Sequence, residues 1–163
     1  YQRRKYFHEL GRQYKQIIAD CPLIEGTEET LEFLQSRGHP IGLFTSSSDQ
    51  EVDDRFHLRP EVLRFFDGNI ITRNKVERWK PYPDGIIQLC QKWQISPKNC
   101  TMIGDMVVDI KAGQQCGALT IGVLSGFGTA EDFQTAQADL ILESIKDLPS
   151  VYPSILMQLS SRA

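Results

Sequence analysis

The chain has 163 residues, 40% of them apolar and 24% charged, with a net charge of −3. These proportions fit one globular domain with a sizeable core. The charge gives no electrostatic reason to expect a nucleic-acid partner, and no apolar run approaches the ~20 residues that cross a bilayer, so neither nucleic acid nor membrane is expected as a partner.

Residues 2–19 read as a helix, with Tyr6, Phe7, Leu10, Tyr14, Ile17 and Ile18 near helical spacing. The basic cluster Arg3-Arg4-Lys5 is interrupted by Glu9 and aromatic residues, as on a solvated helix face. Cys21-Pro22 ends this helix, and Thr27 starts a second one, with Thr30, Leu31, Phe33 and Leu34 inside and Gly38 as its stop. A short apolar strand over 40–45 runs into the hydroxyl residues Thr45 to Ser48. Residues 49–57 are predicted helical, and a short helical piece follows Pro60.

Residues 69–72 form a second predicted strand. Lys80-Pro81-Tyr82-Pro83-Asp84 is a rigid turn, because both prolines fix φ. It opens a helix with Ile86, Ile87, Leu89, Cys90 and Trp93 as its apolar residues. A third strand begins at Thr101, and a helix runs from near Val108 to Gly117. Strand 119–124, a glycine-rich loop over 125–129, strand 139–142 and a helix over about 150–159 complete the chain. Short apolar strands alternating with helices predict an α/β fold: a three-layer, Rossmann-like, mainly parallel sheet with helices on both faces.

Cys21, Cys90, Cys100 and Cys116 have no CxxC spacing and sit mostly in apolar surroundings. Buried free thiols are expected, which fits a cytoplasmic location.

The most informative stretch is Gly104-Asp105 followed by Asp109. It places one carboxylate at the C-terminal edge of a strand and another in the first turn of the next helix. Ligands of open α/β sheets bind at that edge, and two acids there suit a hard, oxygen-liganded cation such as Mg²⁺. Thr45 brings a hydroxyl and the following turn amides to the same edge, where they either hold a phosphoryl oxygen or cap the next helix. Lys80 offers a fixed ammonium that can neutralise a phosphate or a carboxylate.

The order Phe44-Thr45-Ser46, then Lys80-Pro81-Tyr82-Pro83-Asp84, then Gly104-Asp105 with Asp109 resembles the haloacid-dehalogenase-like (HAD) hydrolases. The stretches 110–117 and 122–128 are similar to the phosphoglycolate-phosphatase-like and β-phosphoglucomutase-like branch, and the resemblance spans roughly residues 22–149. It implies that Thr45 and the Ser46 amide bind phosphoryl oxygens. It implies that Lys80 orients a nucleophile and offsets the charge of a phosphorylated intermediate, so that Thr45 and Lys80 belong to the catalytic machinery. Asp105 would ligate Mg²⁺ directly, and Asp109 would act through water or hold the loop. The implied activity is Mg²⁺-dependent hydrolysis of a small phosphorylated metabolite through an aspartyl-phosphate. A phosphomutase and a non-catalytic phosphate- and metal-binding module are the alternatives. A receiver domain fits poorly because its acids come first in the chain, and no GxGxxG opens a helix as in dinucleotide-binding folds.

The family's nucleophile is the first Asp of a DxDxT motif on its first strand. Asp20, Asp53-Asp54 and Asp67 do not supply it. Residues 1–21 are therefore expected to be the C-terminal part of a helical cap. Residues 22–163 are expected to be a HAD-like core without its first strand, within a longer protein, and the 163-residue chain by itself is expected to be inactive. In the family that strand lies centrally, so its absence leaves a gap between the strand ending at Thr45 and the one ending at Asp105. Trp79 either narrows the site entrance or packs on the adjacent helix. Lys75 and Arg78 either attract an anionic substrate or are solvated, and Arg12 and Lys15 on the cap helix are candidate substrate contacts. The substrate and the oligomeric state are left open.

Overall fold

The computed structural model describes Ile17 and residues 21–162. The helix expected over residues 2–19 lies outside them apart from Ile17, and so do Arg12, Lys15 and nearly all of the expected cap segment.

Five strands lie in two parallel sheets among the described residues. β1 (Leu43–Phe44) pairs with β2 (Ile70–Ile71), while β3 (Thr101–Gly104), β4 (Leu119–Val123) and β5 (Leu140–Leu142) pair in that order. Leu43 stands opposite Ile70, Thr101 opposite Leu119 and Ile121 opposite Leu140. The connecting helices are α1 (Thr27–Gln35), α2 (Asp49–Phe56), α3 (Pro60–Leu63), α4 (Asp84–Trp93), α5 (Val107–Cys116), α6 (Ala130–Thr135) and α7 (Leu148–Arg162).

Two apolar clusters build the layers. Phe44 of β1 packs with Ile86 and Cys90 of α4 and Ala112 of α5, joined by Met102 of β3. Leu119, Ile121 and Val123 of β4 pack with Leu142 of β5 and Leu148 and Ile155 of α7, with Leu34 of α1 against them. Helices thus cover both faces. All five residues of β4 are buried, as expected for a strand paired on both edges and covered on both faces.

β3 is different. All four of its residues are half-buried, and among the described residues its edge away from β4 carries no partner strand. Among the same residues β1 has no partner on its edge away from β2. The Leu43 and Thr45 amides donate to Asn69 and Ile71, both at 2.9 Å. Amides alternate sides along a strand, so the Phe44 N–H and C=O point to the open edge. The strand expected over 40–45 is laddered only at Leu43–Phe44, because among the described residues the short β2 is its one neighbour.

Helix α6 was not anticipated. Its signal is a capping box: the Thr129 hydroxyl accepts from the Asp132 amide at 3.2 Å, and the Thr129 amide donates to Asp132 Oδ2 at 3.0 Å. α6 presents Phe133, which is fully buried, to the backbone at Gly122 and Gly128. Phe133→Ala is expected to lower stability by about 3–5 kcal/mol, read by chemical denaturation.

Cys90 is buried, Cys100 and Cys116 are half-buried, and Cys21 is exposed; all four are free. Burial pushes the Cys100 thiol up to about 12, and raises Cys90 and Cys116 as well. A disulfide-forming reagent should therefore titrate one thiol, Cys21, rapidly in the folded protein and all four in denaturant. Unfolded thiols ionise from about 9 upward while folded Cys100 keeps its proton to about 12. The native state then holds more protons, so stability falls as pH rises through this window. Cys100→Ala should flatten the decline of Tm between pH 8.5 and 10.5.

Candidate active site

The site forms where β1, β3 and the 80–84 turn meet at the C-terminal edges of the strands. The Lys80 ammonium donates to Asp109 Oδ1 at 2.7 Å, and the two side chains are 13% and 4% exposed. The other carboxylate oxygen of Asp109 accepts from the Met106 amide at 3.0 Å, which fixes the first turn of α5. Both oxygens of Asp109 are thereby engaged. The Lys80 ammonium also lies 5.6 Å from the ring centroid of Phe44. Lys80 thus reaches from the end of β1 to the start of α5.

Asp105 is held differently. Its Oδ2 accepts from the Phe127 amide at 3.2 Å, and its carbonyl accepts from the Gly128 amide at 2.8 Å. No described residue hydrogen-bonds its Oδ1. Two glycines make these approaches possible. A Cβ at Gly104 would overlap the Asp109 carboxylate, and one at Gly126 would overlap that of Asp105. The loop over 125–129 and the Met106 amide are parts of the site to which the sequence reading gave no role. The glycines flanking Phe127 were the available signal.

At the end of β1, the Thr45 hydroxyl accepts from the Ser47 amide at 3.1 Å. Ser46 is exposed, and no described residue hydrogen-bonds its amide. The helix-capping role considered for Thr45 belongs to Ser48, whose hydroxyl accepts from the Glu51 amide at 3.3 Å. The Ser48 amide and hydroxyl donate back to Glu51 Oε2 at 2.6 and 2.8 Å, and these two bonds hold the Glu51 carboxyl below its ordinary range. With Ser48 as cap, Thr45 and Ser46 are left for another role.

Trp79 is 50% exposed, so it is not packed away in the helix layer. Arg78 donates to Asp84 at 2.9 and 3.3 Å, and Lys75 donates to the Ile70 carbonyl at 3.0 Å. Both cations are held by their own chain.

As a donor set for a divalent cation, the acids fit in part. Asp105 offers a carboxylate oxygen at the sheet edge, and Mg²⁺ commonly takes one or two carboxylates together with water and phosphate oxygens. Among the described residues, no third His, Cys, Asp or Glu joins Asp105 and Asp109 into a metal-holding group.

A strand-end hydroxyl, a buried lysine–carboxylate pair and a second acid at one edge of an α/β fold are the kinds of group that phosphoryl transfer uses. The haloacid dehalogenase-like hydrolase family matches residues 2–117, and the chain belongs to that family. It is 29% identical over 146 residues to phosphoglycolate phosphatase of Escherichia coli K12, covering 89% of this chain and 56% of that protein. It is 30% identical over 145 residues to the pyrophosphatase PpaX of Bacillus anthracis, covering 86% of this chain and 66% of the relative. A HAD family hydrolase from Deinococcus radiodurans, solved with phosphate and sodium bound, superposes with a TM-score of 0.82 at 24% identity over 93% of this chain and 68% of that one. The chain therefore spans little more than half the length of the phosphatase. No helix of the described residues is long and apolar enough to cross a membrane.

The Lys80–Asp109 pair is nearly dry, so removing one partner leaves an uncompensated buried charge. Lys80→Met should cost about 3–5 kcal/mol in chemical denaturation. The Lys80→Met/Asp109→Asn double variant should recover part of that loss, because the two residues act as a unit.

Proposed function

We propose that the full-length protein is a Mg²⁺-dependent phosphatase for a small phosphomonoester, working through an aspartyl-phosphate. The observation that carries this reading is the Lys80–Asp109 pair at 2.7 Å, set between a strand-end Thr45 and a separately held Asp105. Phosphoryl transfer needs positioning and charge neutralisation on the equatorial oxygens more than covalent chemistry from the protein. Thr45 and the Ser46 amide are suited to bind those oxygens. Lys80 is suited to place its positive charge beside them, and Asp109 fixes its direction. Mg²⁺, when bound through Asp105, supplies further neutralisation.

The nucleophilic carboxylate is assigned to an additional extended segment pairing between β1 and β3, whose facing edges have no partner among the described residues. In this reading residues 22–163 are the core and residues 1–21 belong to a cap. Attack by that carboxylate forms the aspartyl-phosphate and releases the alcohol, and water then releases inorganic phosphate. The likeness to a phosphoglycolate phosphatase and to a pyrophosphatase supports a small phosphorylated substrate.

Full-length protein assayed with 2-phosphoglycolate and 4-nitrophenyl phosphate should release inorganic phosphate with Mg²⁺ and not with EDTA. Asp105→Asn should lower kcat/KM by about 10²-fold or more. Turnover that persists in both EDTA and Asp105→Asn refutes the mechanism.

A further inference from the structure

We propose that Gln115 is a positioning residue for Lys80: its side-chain amide ties the 78–84 turn to α5, the helix that also carries Asp109. The inference rests on the phosphoryl-transfer reading above and adds a residue to its machinery.

A lysine ammonium sits on a flexible four-carbon stem, so its place depends on how the backbone at its root is held. Lys80 lies in neither a strand nor a helix. Its turn is closed by local bonds. Arg78 donates to the Asp84 carboxylate from its amide, Nε and Nη2 at 3.3, 3.3 and 2.9 Å. Within that closure the Tyr82 amide donates to the Trp79 carbonyl at 3.0 Å. These bonds fix the shape of the turn but do not tie it to α5.

Gln115 supplies that tie. Its Nε2 donates at 2.7 Å to the carbonyl of Pro81, the residue next to Lys80. A carbonyl only accepts, so the amide nitrogen is the end of the side chain that meets it. The Lys80 ammonium in turn donates to Asp109 Oδ1 at 2.7 Å. Gln115 and Asp109 both belong to α5 and lie about 9 Å apart along its axis. The lysine is thus registered on one helix at two separated points, beside its backbone and at its ammonium.

That helix is a firm reference. Ile110 and Ala112 are fully buried, and a Cβ at Gly113 would overlap the side chain of Thr120 on β4. Asp105 lies just before α5, so the lysine and the candidate metal ligand share one frame. Phosphoryl transfer depends on such placement, and a displacement of about 1 Å can cost 10²-fold in rate.

Gln114 offers a comparison within the same turn of α5. Its Nε2 donates to the carbonyls of Ala136 and Gln137 at 2.8 and 3.0 Å, just past the end of α6. The same kind of bond is made there to a different segment.

The test uses the full-length protein with ¹⁵N-labelled lysine. A nearly dry, ion-paired ammonium exchanges its protons slowly, so Lys80 should give a resolved signal that Lys80→Arg removes. Gln115→Met keeps the length of the side chain and lacks the donor. It should shift or broaden the Lys80 signal and lower kcat for phosphate release about tenfold, with KM little changed. Gln114→Met should leave the Lys80 signal in place. An unchanged Lys80 signal or an unchanged kcat in Gln115→Met overturns the positioning role. So does an equal change in Gln114→Met, or the lack of any slowly exchanging lysine signal in the unmodified protein. A signal that shifts in Gln115→Met, in a protein that releases no phosphate from 2-phosphoglycolate or 4-nitrophenyl phosphate, upholds the tether of Lys80 and overturns the phosphatase reading instead.

Discussion

The Lys80 ammonium links parts of the molecule that no strand pairing joins among the described residues. β1 and β2 form one sheet and β3 to β5 another, with no ladder between them in that part of the chain. Lys80 lies 2.7 Å from Asp109 at the start of α5 and 5.6 Å from the Phe44 ring of β1. Burying two ions costs several kcal/mol each, and their attraction offsets this only when the geometry is good and remaining lone pairs are satisfied. Here the Met106 amide satisfies the second oxygen of Asp109. Among the described residues Asp109 thus has both oxygens engaged, one of them by Lys80, while Asp105 keeps one oxygen without a hydrogen-bond partner.

This division between two acids four residues apart follows from local geometry. Asp109 is at the third position of α5, where helix amides attract a carboxylate and its chain can turn back to the strand end. Asp105 precedes the helix and meets a loop arriving from β4. Both approaches need a missing Cβ, at Gly104 for Asp109 and at Gly126 for Asp105. Alanine at either position would displace a carboxylate of the candidate site, so these glycines act on it through packing.

Much of this was legible in the sequence. The apolar run ending at Gly104, the turn opened by Lys80 and the helix carrying Ile86, Leu89 and Cys90 each follow from period and punctuation, and each forms as expected. Helix α6 escaped because its six residues are too few to show a period, although Thr129 and Asp132 spell its cap. The role of the 125–129 loop escaped because it is a through-space contact with a residue about twenty positions earlier. The Ser48–Glu51 capping box was equally readable, and reading it would have separated the helix cap from Thr45 at once.

The open edges of β1 and β3 constrain what can complete the site. Both strands are parallel to their paired neighbours, and their C-terminal ends deliver Thr45 and Asp105. An extended segment pairing with both would sit ~4.8 Å from each, and would present its own C-terminal residue between that hydroxyl and that carboxylate. It would also bury the half-exposed face of Met102 and Ile103 and satisfy the Phe44 N–H and C=O that now point away from β2. The same event that completes the hydrogen-bonding of the sheet would thus place a side chain beside Lys80. In the proposed reading stability and catalytic competence would be coupled, and an acid at that position would join Asp105 and Asp109 against the single positive charge of Lys80, a balance that a divalent cation would restore.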